Sequence, residues 1–264
     1  MSNSSKLYAP RSYEFKGLRI GMVSFDAEVE VFSQGPISRD KPTAFVAGSG
    51  YERKVDVCNL DEIICKAQDL GKVLGETYTI ITGHCSGIPS YVARAALKKS
   101  HVIGISPFGN RDKHLENWKK SKIYCDTAFN LEQQDSATIA IHSGLGLWHR
   151  DVCNVELTNN HRQHVYVIGG HRGTFHEIVL AVTHNAIIGA FLGVDGVSGD
   201  IASLKDYLIK HSIEHHIVED TDPRALAERV NELDKQLREQ HQYERASTTP
   251  LKELLDTLEL KILM

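Results

Sequence analysis

Val165-Tyr-Val-Ile-Gly-Gly-His-Arg-Gly-Thr-Phe-His-Glu177 is the stretch that decides the fold. A β-branched and aromatic run is followed by paired glycines, by Gly173-Thr174, and then by apolar residues at helical density, which predicts a strand, a turn and a helix start. Glycines at such a turn let the backbone approach an anion, and the first amides of the helix point at it. The stretch therefore predicts a phosphate site, with Glu177 one helical turn beyond Thr174.

The amino-acid composition narrows the class of protein to which this chain can belong. The chain has 264 residues, 41% hydrophobic and 24% charged, which suits one large α/β domain or two small ones. Apolar stretches such as 186–194 are too short to span a bilayer, and the first residues lack the apolar core of a signal peptide. These features predict a cytoplasmic protein with no membrane partner. A net charge of −4 argues against a nucleic-acid partner, because sequence-independent binders carry a basic surplus.

The spacing of the cysteines and histidines predicts no metal site. The five cysteines are odd in number, scattered, and never in a Cys-x-x-Cys pair, so we interpret them as reduced thiols. The 14 histidines are densest at 161–164 and 211–216. Neither cluster has a His-Glu-x-x-His motif or a cysteine at zinc spacing, which favours surface or loop histidines over ligands. We expect no metal.

The pattern from residue 41 onward alternates strands and helices. Asn59 is a candidate N-cap and Gly75 a candidate terminator of the first helix. Parallel strands joined by right-handed crossovers, and thus a doubly wound sheet, follow from this alternation. The predicted elements are a strand in 41–50, a helix at 60–74, a strand at 78–82, a helix at 88–97 and a strand at 101–105.

The second half is less regular. After residue 107 we predict an irregular flap at 110–122 and a short extended segment at 123–129. Asp222 and Pro223 are the predicted N-cap and first residue of a helix that runs to about residue 240. The other predicted elements are a helix before the strand at 165–168, a strand at 186–194, a helix at 204–210, a strand at 216–218 and an amphipathic helix at 251–264.

The two ends of the chain are predicted to lie outside the central domain. Residues 1–16 are polar and loosely held, and extended patterns at 18–25 and 27–32 predict a hairpin, either an edge addition to the sheet or a dimer contact. The predicted divisions are residues 1–40 as an N-terminal extension, 41–240 as a nucleotide-binding domain, and 241–264 as a linker and C-terminal helix. The fold class is α/β, a Rossmann-like doubly wound parallel sheet flanked by helices.

Two motifs carry a family resemblance. Thr82-Gly-His-Cys-Ser-Gly-Ile-Pro89, followed by a helix and His101-Val-Ile-Gly-Ile-Ser-Pro107, resembles the glycine loop and following strand of the Lonely Guy (LOG) family and its molybdenum-cofactor carrier-like relatives in the SLOG superfamily. Gly169-Gly-His-Arg-Gly-Thr-Phe-His-Glu177 resembles their Pro-Gly-Gly-x-Gly-Thr-x-x-Glu signature. The resemblance covers roughly residues 42–195. It implies a homodimer or higher homo-oligomer that binds a nucleotide at the carboxyl ends of its strands.

The enzyme branch of the family implies an activity. Those enzymes hydrolyse the N-glycosidic bond of a nucleoside 5′-monophosphate to free base and ribose 5-phosphate, without a cofactor. Arg150 and Glu177 hold the places of the family's catalytic arginine and glutamate. Loss of a base builds positive charge on the sugar, which a carboxylate at Glu177 can stabilise, while Arg150 holds phosphate or polarises the site. The alternatives are a non-catalytic carrier of a nucleotide or molybdopterin-type cofactor, a sensor of a signalling nucleotide, and a purely structural module.

The resemblance also implies a set of binding residues. Glycines and serines after the strands line the base and ribose, and the signature turn cradles the phosphate. Departures from the family are His171 in place of a glycine, Asp151 in place of a lysine and His176 in place of an acidic residue. The implied binding residues are Gly48, Ser49, Gly83, Ser86, Gly87, Gly169, Gly170, His171, Arg172, Gly173 and Thr174.

Overall fold

Strands and helices alternate along most of the described chain. The structure, a computed structural model, describes residues 11–20, 22–32, 41–48, 60–85, 87–124, 137–158, 163–194, 196–241 and 253–258. The strands are β1 (Arg11–Ile20), β2 (Val23–Val31), β3 (Thr43–Gly48), β4 (Thr79–Thr82), β5 (Val102–Ser106), β6 (Ile139–His142), β7 (His164–Ile168), β8 (Ile187–Phe191) and β9 (His216–Asp220). The helices are α1 (Leu60–Thr77), α2 (Ile88–Ala96), α3 (Arg111–Tyr124), α4 (Gly146–Leu157), α5 (Arg172–Thr183), α6 (Ile201–Lys210), α7 (Pro223–His241) and α8 (253–258).

One sheet joins all nine strands in the order β1-β2-β6-β5-β4-β3-β7-β8-β9. From β6 to β9 every neighbouring pair is parallel, whereas β1 and β2 form an antiparallel hairpin that pairs with β6. The chain runs outward from β3 through β4 and β5 to β6, then returns to the other side of β3 as β7. The predicted doubly wound α/β fold is confirmed, and its switch point lies between β3 and β7.

Helices cover both faces of the sheet. One apolar core lies under α1, α2 and α7, and the other under α4, α5, α6 and α8. The strands from β3 to β8 are buried on both faces, as parallel strands between two helical layers must be. No helix in the described ranges has the length and apolarity needed to cross a bilayer.

The N-terminal hairpin is an addition to the edge of the sheet, one of the two expected alternatives. Its position along the chain differs from the prediction. The strands turn around Met22, so residues 11–16 belong to β1 rather than to a loose leader. The predicted strand bounds, 18–25 and 27–32, were wrong because polar and apolar residues alternate through the turn. The pattern therefore gives no sign of where one strand ends and the next begins.

Between β5 and β7 the prediction is wrong in two places. The segment 110–122 is not an irregular flap but most of α3, which Asn110 caps by accepting the amide of Lys113 at 2.9 Å. The sequence of this helix has no apolar stripe, so it leaves no periodic signal. The strand β6 was missed because four buried residues are too short for a pattern to emerge. The predicted extended segment at 123–129 starts within α3, and its residues from 125 lie outside the described residues.

Gly75 does not end α1, which continues to Thr77. A Cβ on Gly75 would lie 2.9 Å from the Ala96 backbone, and one on Gly71 would overlap the Val92 carbonyl. These glycines therefore allow α1 and α2 to pack closely. Prediction and structure agree at α7, where the Asp222 carboxylate accepts the amides of Arg224 and Ala225 at 2.9 and 2.8 Å.

Candidate functional site

The carboxyl ends of β3 and β7 lie side by side at the switch point, with Gly48 paired to Ile168. A Cβ on Gly48 would come within 2.8 Å of the Ile168 carbonyl, so this close pairing requires glycine. Crevices at such switch points are where doubly wound folds bind ligands. Ser49 and Ser86, two predicted binding residues, lie outside the described residues.

The glycine turn after β7 is rigid. Gly169 and Gly170 have φ angles of 64° and 100°, which glycine adopts without strain. A Cβ on Gly170 would overlap the Thr174 side chain. The loop after β8 locks the turn, since Val197 and Ser198 donate their amides to the Gly170 and Gly169 carbonyls at 3.0 and 3.1 Å. The Ser198 hydroxyl also accepts the Gly169 amide at 2.8 Å.

The first turn of α5 has no side-chain cap. His171 occupies the N-cap position with φ −131°, outside the left-handed region that favours glycine. His171, Arg172 and Gly173 are exposed. The first-turn amides, which have no partner within the helix, thus face the surface with the positive end of the helix dipole.

Thr174 and Gly173 differ in accessibility although both were predicted to cradle phosphate. Thr174 is buried against Gly170, where it holds the turn. At Gly173 a Cβ would meet no heavy atom within 4 Å. The open space at this end of the helix therefore lies over Gly173, and the contact predicted for the Thr174 hydroxyl stays a prediction.

The glycine loop after β4 is tied to α4 through Arg150. The Arg150 guanidinium is buried, and its Nη1 donates to the Gly83 carbonyl at 2.7 Å. A Cβ on Gly83 would overlap that guanidinium, so the glycine makes room for it. Gly87, with φ 107°, precedes α2, whose first turn also has no side-chain cap. Arg150 thus ties α4 to the glycine loop after β4.

Asp151 links this loop to α5. Its Oδ2 accepts from His176 Nδ1 at 3.0 Å, and its Oδ1 lies 2.9 Å from Arg150 Nε. The Arg150 N–H does not point at that oxygen, so the second contact is an electrostatic attraction rather than a hydrogen bond. Asp151 and Arg150 are both buried. Two of the three residues that depart from the family, Asp151 and His176, are therefore partners of each other.

Glu177 completes the network. Its side chain is buried, close to the charges of Asp151 and Arg150. Burial, and then the negative charge of Asp151, raise the pKa of Glu177 well above its ordinary value, while the positive charge of Arg150 acts in the opposite direction. The structure thus brings Arg150 and Glu177 into one buried network.

Cys85 lies close enough to the same charged groups for their charges to affect the pKa of its thiol. Burial raises the pKa of its thiol to about 11, with Arg150 opposing and Glu177 and Asp151 adding to the shift. The thiol is neutral, which argues against a nucleophilic cysteine. Cys65, Cys85 and Cys153 are free, in line with the predicted reduced thiols; the other cysteines lie outside the described residues.

A groove of about 480 Å³ opens beside the start of α5. Trp148 and His176 meet there edge to face, with ring centroids 4.2 Å apart. His176 reaches both the groove and Asp151, so it connects the surface with the buried carboxyl pair. The residues that line the groove are Trp148, His171, Arg172, Phe175, His176, Val179 and Val197.

Histidine positions differ in part from the prediction. His164, expected at the surface, is buried in β7. His84, His114 and His142 pack together at the carboxyl ends of β4 to β6, with the His84 and His114 rings stacked 4.5 Å apart. Burial lowers the pKa of His114 to about 3 and that of His84 well below its ordinary value, so both rings are neutral. Across the described ranges, no group of three or more His, Cys, Asp or Glu side chains is placed to hold a metal ion.

Comparisons with known proteins agree on family and fold. The model of the SLOG cluster4 family matches residues 41–226. The molybdenum cofactor carrier protein of Chlamydomonas reinhardtii is 21% identical over 74% of this chain and 99% of its own, with a TM-score of 0.50. The molybdenum cofactor binding protein of Rippkaea orientalis is 23% identical over 76% of this chain and 99% of its own, with a TM-score of 0.48. At these identities the likeness shows the fold alone.

A third similar structure corrects one expectation. DNA processing protein A of Helicobacter pylori, which binds single-stranded DNA, is 14% identical over 87% of this chain and 97% of its own, with a TM-score of 0.46. The prediction that the chain has no nucleic-acid partner is therefore wrong, because such a partner is not excluded. It used the charge of the whole chain, whereas binding depends on local charge. No curated protein matches the chain.

Proposed function

The chain belongs to the SLOG cluster4 family, and from this premise we propose that it binds a nucleoside 5′-monophosphate and hydrolyses its N-glycosidic bond. One observation carries the proposal. Arg150 and Glu177, from two separate helices, lie in one buried network beside the glycine loop at Gly83. A buried carboxyl group of raised pKa that lies beside an arginine at a switch point is typical of active sites.

The phosphate of the nucleotide is proposed to bind at the first turn of α5. The amides there lack a side-chain cap, and Gly173 leaves room for a ligand. His171 and Arg172 are exposed at the same place and add hydrogen-bond donors. A phosphate at this position would meet amides, side-chain donors and the positive end of the helix dipole together.

Glu177 is proposed to act as the general acid. Burial and the neighbouring charge of Asp151 raise its pKa well above the ordinary value, which favours the protonated form that a general acid needs. Water attacks C1′ of the ribose, the C1′–N bond breaks, and the departing base takes the Glu177 proton. A proton from the attacking water restores Glu177, so base and ribose 5-phosphate are released without a cofactor. Arg150 fixes the glycine loop through the Gly83 carbonyl.

Incubation with a panel of nucleoside 5′-monophosphates tests this function. Release of free base, followed by chromatography, is the expected result. Glu177→Gln should abolish release and leave the fold intact by circular dichroism. Asp234→Asn, which alters another buried carboxylate far from the turn, is the matched control and should retain turnover. Full activity of Glu177→Gln would remove Glu177 from the mechanism.

A non-catalytic binder is the second candidate, and the groove favours it. Arg150 and Glu177 do not line the groove, whereas Trp148, Phe175 and Arg172 do. Aromatic faces beside a guanidinium suit a phosphorylated heteroaromatic ligand. Stabilisation by nucleotides in a thermal shift assay without base release would favour the binder, and neither response would favour a structural module.

Cytoplasmic location and a homo-oligomer are part of the proposal. Both rest on the sequence and its family resemblance. Light scattering of the purified chain tests the oligomer, and a mass equal to one chain at micromolar concentration would exclude it. Imaging of a tagged chain in its own cell tests the location.

A further inference from the structure

His176 divides its two ring nitrogens between the protein interior and the groove. Its Nδ1 lies 3.0 Å from Oδ2 of the buried Asp151. Among the described residues, Nε2 has no hydrogen-bond partner. The side chain is 23% exposed and forms part of the groove wall. Nε2 is therefore the nitrogen that is left for a ligand in the groove.

The Asp151 carboxylate determines which ring nitrogen carries the hydrogen. Its Oδ1 lies 2.9 Å from Arg150 Nε, and its Oδ2 faces His176. A carboxylate offers only acceptors, so the nitrogen that faces it has to donate. A neutral imidazole has one donor and one acceptor, and a hydrogen on Nδ1 leaves the lone pair on Nε2. Asp151 thus makes Nε2 an acceptor.

Acceptors are scarce among the side chains of the groove. Trp148 and Phe175 are 56% and 47% exposed and offer aromatic faces, while the Trp148 indole and the Arg172 guanidinium can only donate hydrogen bonds. Of the described side chains that line the groove, only His171 and His176 can accept one. Within this set, only His176 has a carboxylate partner that fixes which nitrogen accepts.

We propose that His176 is a specificity-determining residue of the groove, whose Nε2 accepts a hydrogen bond from an N–H or O–H group of a phosphorylated aromatic ligand. Asp151 is the positioning residue that keeps Nε2 an acceptor. The proposal rests on the proposed function in one respect, the binding of a nucleotide. A ligand without such a donor leaves the lone pair of Nε2 unsatisfied once it covers the groove, so it binds less tightly.

Nitrogen NMR of the ligand-free protein with labelled histidines tests the role of Asp151. At neutral pH, the ring whose signals disappear in His176→Phe should carry its hydrogen on Nδ1. In Asp151→Asn the amide oxygen should stay towards Arg150 and the amide NH2 should face His176, so the hydrogen moves to Nε2. Asp234→Asn, which alters another buried carboxylate, is the control and should leave the tautomer unchanged.

The wild-type spectrum decides this part even if Asp151→Asn fails to fold. A hydrogen on Nε2 of His176 in the wild type would overturn the proposal. The same tautomer in the wild type and in a folded Asp151→Asn would overturn the role of Asp151.

Titration with AMP and two analogues tests the contact with the ligand. Purine riboside 5′-monophosphate lacks the amino group of the base, and 2′,3′-dideoxy-AMP lacks both ribose hydroxyls. The wild type should bind AMP about tenfold more tightly than one of the analogues, the effect of one hydrogen bond, and that analogue identifies the donor. Trp148 fluorescence reports occupancy of the groove in a Trp118→Phe background, which leaves one tryptophan.

Two variants of His176 separate the ligand contact from a purely structural role. His176→Asn keeps an N–H near Asp151 but places no acceptor at the position of Nε2, whereas His176→Phe removes both groups. The preference for AMP should be lost in both variants. A preference that persists in His176→Asn would mean that His176 acts only by holding Asp151, and would overturn the proposal. His184→Asn, which alters an exposed histidine at the other end of α5, is the control and should keep the preference.

Failure of the proposed function is distinguishable from failure of this inference. A protein that binds none of the three nucleotides would refute both the proposed function and the ligand class, while the tautomer still decides the role of Asp151. Binding of all three with equal affinity, or a preference that His176→Phe retains, would overturn the inference alone.

Discussion

The two ends of β7 carry two buried polar networks with opposite electrostatics. At its first residue, His164 contacts Tyr78 Oη at 3.1 Å and lies 3.6 Å from Asp234, too far for a hydrogen bond but close enough for attraction. Asp234 also pairs with Arg238. Burial raises the pKa of Asp234, but His164 and Arg238 outweigh it, so the net pKa is lowered. Beyond the last residue of β7, the pKa of Glu177 is raised instead.

This difference separates a network that stabilises the fold from one that costs stability. At the amino end, opposite charges and a hydrogen bond from Tyr78 to Asn231 at 2.6 Å hold α7 on the sheet. At the carboxyl end, two carboxyl groups are held together by the packing of α4 and α5. Native proteins keep such unfavourable arrangements mainly at functional sites. Neutral substitutions of the two buried carboxyl groups, Asp234 and Glu177, should therefore differ in sign.

The largest expected effect is at the glycine turn that fixes the carboxyl end. Gly170→Ala should destabilise the protein by about 3 kcal/mol, because φ is +100° and the new methyl overlaps Thr174. Gly173→Ala is the control and should change stability by less than about 1 kcal/mol, since its site is open. Urea unfolding measures both. Equal losses would mean that the turn is not rigid.

Asp234→Asn should cost about 2 kcal/mol at pH 7, since it leaves His164 and Arg238 without their carboxylate. A lowered folded-state pKa gives stability that is present above the unfolded pKa of about 4 and is lost as pH falls. The difference between wild type and variant should therefore shrink in acid. A constant difference from pH 7 to pH 3 would contradict the pairing.

Glu177→Gln should have the opposite sign, a gain on the order of 1 kcal/mol at pH 7 to 8. A raised folded-state pKa means that the unfolded chain ionises first, so the wild type loses stability as pH rises above about 4. The gain should vanish near pH 4, where the carboxyl is protonated in both states. Thermal unfolding against pH measures it, and a loss at pH 8 would contradict the raised pKa.

Tyr78→Phe should have the smallest effect, a loss of about 1 kcal/mol from the missing hydrogen bond to Asn231. Burial raises the pKa of Tyr78 to about 12, so the hydroxyl stays neutral and the loss should not vary between pH 5 and 9. Guanidinium unfolding at several pH values checks this. A loss that changes with pH would mean that the hydroxyl also interacts with a neighbouring group whose charge changes in that range.

What could be predicted from sequence was local. The turn at Gly169 and Gly170 and the cap at Asp222 each depend on a few adjacent residues, so a short pattern reveals them. The strand β6 is too short to give one. The contact of Asp151 with His176 depends on how α4 packs against α5, and no local pattern encodes it. The sequence showed both residues only as departures from a family motif.

The N-terminal hairpin affects how readily the sheet edge can associate with another chain. Without it, β6, whose residues are all buried, would be the outer strand of the sheet and would offer its backbone to another chain. With it, the outer strand is β1, whose exposed positions include Arg11, Glu14, Lys16 and Arg19. Charged side chains on an outer strand hinder the edge-to-edge association that leads to aggregation. The hairpin thus covers the backbone edge of β6 and presents charged side chains at that edge of the sheet.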